Sequence, residues 1–173
     1  SNHRNCSSPG LQDSSIDYEH ITDYNTFNPN PYEPNGMSFS TFCESLNFKL
    51  TPLRRDVLML LWHAKQPLKA YDVLSDLQKK RPNAKPPTVY RVLDYLIDQH
   101  VLHKLESCQS YTLCHRPGLD HHKTQHIMFL CHHCQSATEI TNAAIQSTLH
   151  QLAQQHHFKV STDLIEVEGT CKS

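Results

Sequence analysis

Apolar positions recur along this chain with two different periods, and the change of period divides it. Residues 1 to 37 show no period and many breakers, ending in NPNPYEPNG. We expect them to form a disordered tail. From Ser38 onward Phe39, Phe42, Cys43 and Leu46 fall at i, i+3, i+4 and i+7. SFSTFCESLNF therefore reads as a short amphipathic helix with Cys43 on its core face. LTPLRRDVLMLLWHAKQ opens a second helix, with Thr51 as N-cap and Pro52 in the first turn. Leu53, Val57, Leu60 and Leu61 line one of its faces. AYDVLSDLQKK predicts a third helix that turns Val73, Leu74 and Leu77 inward. After the loop RPNAKPP, Pro87 and Thr88 start a fourth, TVYRVLDYLIDQH, whose buried stripe is Val89, Val92, Leu93, Leu96 and Ile97. Tyr90, Arg91, Asp94 and Tyr95 fall on its other faces.

The period then shortens. VLHKLES and SYTLCH read as two strands with Cys108 and Gln109 in the turn between them. Helices that feed a hairpin form the winged version of the helix-turn-helix. In that motif the last helix enters the major groove. Tyr90 and Arg91, near the start of that helix, stand where base-reading side chains belong, and Arg can bond guanine bidentately. Tyr71 opens the preceding helix and is placed for a phosphate or base contact.

RPGLDHHKTQ reads as a hinge or loop. Beyond it the pattern predicts a strand HIMFLC, a turn HHCQS, a strand ATEI, a helix NAAIQSTLHQLAQQHH and a last strand TDLIEVEG. So small a ββαβ unit has an exposed sheet edge and little core, and it reads as a dimerisation module. The expected architecture is α/β. A winged helix-turn-helix domain spans 38–115, a hinge 116–120, and a small α/β dimerisation domain 121–173.

Length and composition agree with this division. The 173 residues leave room for one large domain or two small ones, and 38% apolar content supports a modest core. The longest apolar run, VLMLLW, is far too short to span a bilayer. No basic start followed by an apolar stretch marks a secretory signal, so we expect a cytoplasmic protein. The chain opens with Ser rather than Met, and we expect its natural start to be missing or processed. The net charge of −1 hides an asymmetry. Ten Lys and Arg stand against three acids between positions 49 and 91, while the first 48 residues hold six acids and one Arg. A basic block in a neutral chain is either a phosphate-binding face or a solvated helical surface.

The chemistry concentrates in HHKTQHIMFLCHHC, positions 121–134, with five His and two Cys in fourteen residues. Cys131 and Cys134 form a CxxC on a tight turn, a spacing that puts two thiolates on one zinc. A redox pair at this spacing normally caps a helix N-terminus, whereas this one lies between strands. Cys171, at the end of the last strand, can reach the same ion. The fourth ligand is expected beyond Ser173, where a second CxxC would put it. A further donor set can be drawn from both domains: His103 and Cys114 on the wing strands, His121, His122 or His126 after the hinge, and Glu139. A thiolate in such a set favours zinc over iron(II). His132 and His133 are expected to face solvent, as are His150, His156 and His157.

KPPTVYRVLDYLIDQHVLHKLES, SYTLCH and the CHHC turn resemble the ferric uptake regulator superfamily, and within it the zinc uptake regulator branch. The likeness covers roughly 38–173. It implies a homodimeric, zinc-dependent transcriptional repressor, not an enzyme, that binds AT-rich palindromic operators of zinc acquisition genes. It implies two zinc ions per chain. The structural ion would be held by Cys131, Cys134, Cys171 and a further cysteine. The regulatory ion would be held by His103, Cys114, Glu139 and a loop histidine, with His122 the first choice and His121 or His126 as alternates. DNA contacts carry over to Tyr71, Thr88, Tyr90 and Arg91. The loop before CHHC is longer than the family pattern, and Gln135 stands where the family often has Gly. Two other readings compete. A zinc hydrolase needs an open coordination position and a placed base, and nothing resembles HExxH. A sibling sensor of iron, manganese or peroxide is opposed by the sulfur of Cys114.

Overall fold

The computed structural model describes residues 37–64, 66–114, 125–162 and 164–172. They fall into two compact units, one ending at Cys114 and one beginning at Gln125. The expected hinge lies outside the described residues, as does the expected tail except for its last residue, Met37, which packs against the core. No described helix is long and apolar enough to cross a membrane.

The first unit runs α1 (Phe39–Glu44), α2 (Pro52–His63), β1 (Leu68–Lys69), α3 (Ala70–Lys80), α4 (Pro86–Asp98), β2 (Leu102–Leu105) and β3 (Ser110–Leu113). The first two helices start where a side chain satisfies one of their first amides. Ser38 caps α1 through Thr41 N–H, and Thr51 caps α2 through Arg54 N–H with Pro52 behind it. Pro86 and Pro87 both sit in the first turn of α4, so it starts one residue before the expected Pro87-Thr88. α1 ends at Glu44, earlier than the apolar spacing suggests, because Ser45 closes it with bonds to the carbonyls of Cys43, Phe42 and Thr41. Leu46 and Phe48 still pack on the core from the following loop.

α2 is the axle of this unit. Positions 56–62 are all buried, not just one stripe. Trp62 meets Phe39 and Phe42 with ring centroids 5.6 and 5.0 Å apart, while α3, α4 and β3 cover the other sides. A helix buried all round is central, and one-sided periodicity understates it. Asp56 is the polar member of that run. Lys80 Nζ and Arg81 Nε donate to its two oxygens at 2.6 and 2.7 Å, which ties α2 to the end of α3.

The wing is a three-stranded antiparallel sheet in the order β1-β3-β2. β2 pairs with β3 from Leu102↔Leu113 to Leu105↔Ser110. β1 is only two residues long, pairing Leu68↔Tyr111 and Lys69↔Ser110. The turn between β2 and β3 places Gln109 at φ 50°, where its amide donates back to the Glu106 carbonyl at 2.8 Å.

The second unit runs β4 (His126–Cys131), β5 (Ala137–Thr141), α5 (Ala143–Gln155) and β6 (Leu164–Gly169), the expected ββαβ order. Its sheet order is β5-β4-β6, with β4 antiparallel to β5 and parallel to β6. Asn142 caps α5 through Ile145 N–H. Its core is thin: Ile127, Met128 and Ala137 are buried, and of α5 only Ala153 is.

Candidate metal centres and nucleic-acid interface

β4 ends on Cys131, a turn follows, and Cys134 closes it. The parallel register of β4 with β6 sets Cys131 opposite Gly169, which brings Cys171 to the same place two residues later. The sulfurs of Cys131, Cys134 and Cys171 all lie within 4.8 Å of one another. Cys171 stands 3.4 Å from Cys131 and 3.9 Å from Cys134, sulfur to sulfur. Four sulfurs at about 2.3 Å from a tetrahedral zinc stand about 3.8 Å apart, so this spacing fits that ion once Cys171, disulfide-bonded in this structure, is a free thiolate. The backbone N–H groups of Cys134 and Cys171 point at the Cys131 sulfur from 3.5 and 3.3 Å. These donors lower the Cys131 thiol from 9.0 to about 7, the Cys134 bond most. Donors aimed at sulfur favour the thiolate, the form that binds metal.

The turn has the shape of a glycine turn without the glycine. Gln135 takes φ 59°, donates its N–H to the Cys131 carbonyl at 2.9 Å, and its side chain reaches the His132 carbonyl at 2.8 Å. His132 and His133 are exposed as expected, as are His150, His156 and His157.

The remaining predicted ligands fall into two pairs, one in each unit. His103, on β2, and Cys114 are both buried, and their ligand atoms lie within 4.8 Å of each other. Cys114 lies one residue past β3 rather than on it, but its N–H still bonds to the Val101 carbonyl at 2.8 Å, which extends the pairing. In the second unit His126 Nδ1 lies 2.6 Å from Glu139 Oε1, with side chains 4% and 3% exposed. His121 and His122 lie outside the described residues. Sequence reasoning did not single out Gln125. It is buried, and its side-chain nitrogen has no hydrogen-bond partner among the described residues. An apolar-period reading cannot find such a residue, since only the fold buries it.

The predicted DNA-contacting side chains gather at two helix starts. Tyr71, in the first turn of α3, is 77% exposed, and Tyr90, in the second turn of α4, is 50% exposed. Arg91 is exposed beside Tyr90, and Thr88 is half-buried. A helix start favours anions, so both tyrosine side chains stand where a phosphate would be held. Tyr95, read as an outward residue, instead turns inward against Phe48 and under the Arg54 guanidinium, 3.5 Å above its ring.

Comparison with known proteins agrees with this geometry. A model of the ferric uptake regulator family matches residues 45–168. The zinc uptake regulation protein of Escherichia coli (strain K12) is 39% identical over 129 residues, covering 75% of this chain and 74% of that protein. The ferric uptake regulation protein of Campylobacter upsaliensis is 26% identical over 128 residues, covering 71% and 78%. A solved zinc uptake regulator complexed with zinc and DNA superposes with a TM-score of 0.68 at 37% identity, covering 76% of this chain and 87% of that one.

Proposed function

The chain belongs to the ferric uptake regulator family, and from that premise we propose that it is a zinc-responsive transcriptional repressor. It binds palindromic operator DNA as a homodimer and controls zinc uptake genes. It acts where the chromosome is, in the cytoplasm. The observation that carries the zinc assignment is the buried His103–Cys114 pair in the wing. A sensor of iron(II) or manganese is best served by nitrogen and oxygen donors, whereas sulfur beside imidazole suits zinc. The higher identity to a zinc regulator than to a ferric one points the same way.

Two zinc ions per chain serve two purposes. Cys131, Cys134 and Cys171, with a fourth ligand, hold an ion that ties the end of β4 to the end of β6. His103, Cys114, Glu139 and a histidine hold the regulatory ion. Of the three candidate histidines His126 is favoured, because its ring already meets Glu139. His122 and His121 are the alternates. Bound zinc would supply a charge centre that draws these donors together. Donors taken from both units limit how far the units reorient. That raises the share of molecules whose two recognition helices match adjacent half-sites. The effect can be no larger than the difference in zinc affinity between the two arrangements. Tyr90 and Arg91 read bases, while Tyr71 and Thr88 fix the register of the helix on the backbone.

Cys114→Ser tests the assignment. The variant is expected to retain zinc at the cysteine turn, seen as metal content after dialysis, while its DNA affinity stops responding to added zinc. A Cys114→Ser protein that keeps its zinc response sinks the proposal.

A further inference from the structure

The basic block between positions 49 and 91 does not act as one patch, because five of its ten cations already have partners. Lys80 and Arg81 are committed to Asp56, which is 9% exposed. Lys79 pairs with Asp76 at 2.9 Å. Arg54 lies over the Tyr95 ring and donates to the Lys49 carbonyl at 2.8 Å, and Arg55 lies 5.3 Å above the Phe39 ring. Lys65 is outside the described residues. Lys49, Lys69, Lys85 and Arg91 are left, with no ion-pair partner among the described residues.

Lys69 differs from the others in how it is mounted. It is the second residue of β1, standing opposite Ser110 where β3 leaves the wing turn. It is also the N-cap of α3, with its backbone N–H held by the Asp72 carboxylate at 3.2 Å. Sheet and helix therefore fix its backbone from both sides, while its side chain is exposed. Tyr71, two residues on, projects from the same helix start. Lys85 holds the equivalent place before α4.

We propose that Lys69 anchors a DNA phosphate at the seam of the wing and α3. With Lys85 it carries the salt-sensitive part of DNA binding, and Lys80 and Arg81 carry none of it. This rests on the DNA-binding reading above and goes beyond it by dividing the cations. The reason is differential cost. To reach a phosphate, Lys80 or Arg81 must leave Asp56, and a buried carboxylate stripped of a partner costs more than a solvated phosphate contact returns. Lys69 gives up only water.

The test is the salt dependence of DNA affinity, with the zinc-loaded full chain titrated into a labelled duplex of mixed sequence across a range of KCl. Each lost phosphate contact lowers the slope of log K against log salt by about 0.9, so Lys69→Gln is expected to lower it by about 1.8 per dimer. Lys69→Arg is expected to keep the slope. Lys80→Gln removes the same charge from the other end of the same helix, about 16 Å away, and is expected to leave the slope unchanged. Thermal melting checks that this variant is folded, and Lys79→Gln is a second control for the committed charges. Equal loss from Lys69→Gln and the control variants would mean that only net charge matters, and the proposal fails. An unchanged slope in Lys69→Gln overturns it as well. A wild-type chain with no salt-dependent binding overturns the DNA-binding reading itself, an outcome distinct from either.

Discussion

The two units spend their apolar residues differently. In the first, Val57, Leu58, Val73, Leu93, Leu96 and Leu105 are fully buried, and the helices and wing close over one core. In the second, Phe129, Ile145, Leu152, Phe158 and Val167 are 42% to 68% exposed. Phe129 and Val167 are direct partners on neighbouring strands, so their exposure is a property of a sheet face. Ile145 and Leu152 lie two turns apart on α5, so one stripe of that helix is likewise open. A unit that closes its own core can fold by packing alone. A unit with so thin a core needs cross-links or a covering surface, which the proposed metal at the cysteine turn and the proposed second copy of the chain would supply.

That contrast can be broken at several points. The largest effect is expected from Cys134→Ser. A structural zinc contributes on the order of 10 kcal/mol to small metal-held folds, so the second unit should lose cooperative melting while the first keeps its transition. A single unchanged transition in calorimetry would mean that the metal is not what holds the second unit. Next comes a pair of substitutions. Leu93→Ala, at a fully buried position, should cost about 2–5 kcal/mol in the transition of the first unit. Leu152→Lys should cost the monomer little, because Leu152 is half exposed, yet it should shift sedimentation from dimer to monomer. A variant that stays dimeric would place the interface elsewhere.

Smaller effects sharpen the picture at the cysteine turn. A non-glycine residue in the left-handed region costs about 1 kcal/mol, so Gln135→Gly should stabilise the second unit by up to about 1 kcal/mol. The gain is partly offset by the lost bond from the Gln135 side chain to the His132 carbonyl. The smallest effect is on pH dependence. The Cys131 thiol is lowered from 9.0 to about 7 by backbone donors. Its stabilising contribution is fully present above pH 9.0 and is lost as pH falls through about 7. Thiolate absorbance of the metal-free chain, read under conditions where circular dichroism shows its second unit still folded, should therefore show a titration step near 7 that disappears in Cys131→Ser.

The same contrast explains what could be read from the sequence. The helices of the first unit were legible because Thr51-Pro52 and the i, i+3, i+4 spacing of Val89, Val92 and Leu93 are local signals. The three cysteines were legible because CxxC fixes two of them and a strand end presents the third. β1 was not, since Leu68 and Lys69 are too few residues to show alternation and acquire strand character only by pairing with β3. The burial of α2 on all sides depends on what surrounds it. The approach of His126 to Glu139 depends on the register of β4 with β5, where Met128 rather than His126 faces Glu139. A slip of register would have separated them. Nor does counting charges show that Asp56 commits Lys80 and Arg81.

The most direct test of the central claim is selection of bound duplexes from a random DNA pool by the full chain, in parallel with zinc, with iron(II) and with chelator. A zinc-responsive repressor predicts one palindrome enriched with zinc and lost with chelator. Enrichment with iron(II) alone would keep the family and contradict the metal. Equal enrichment in all three conditions would contradict metal control of DNA binding altogether.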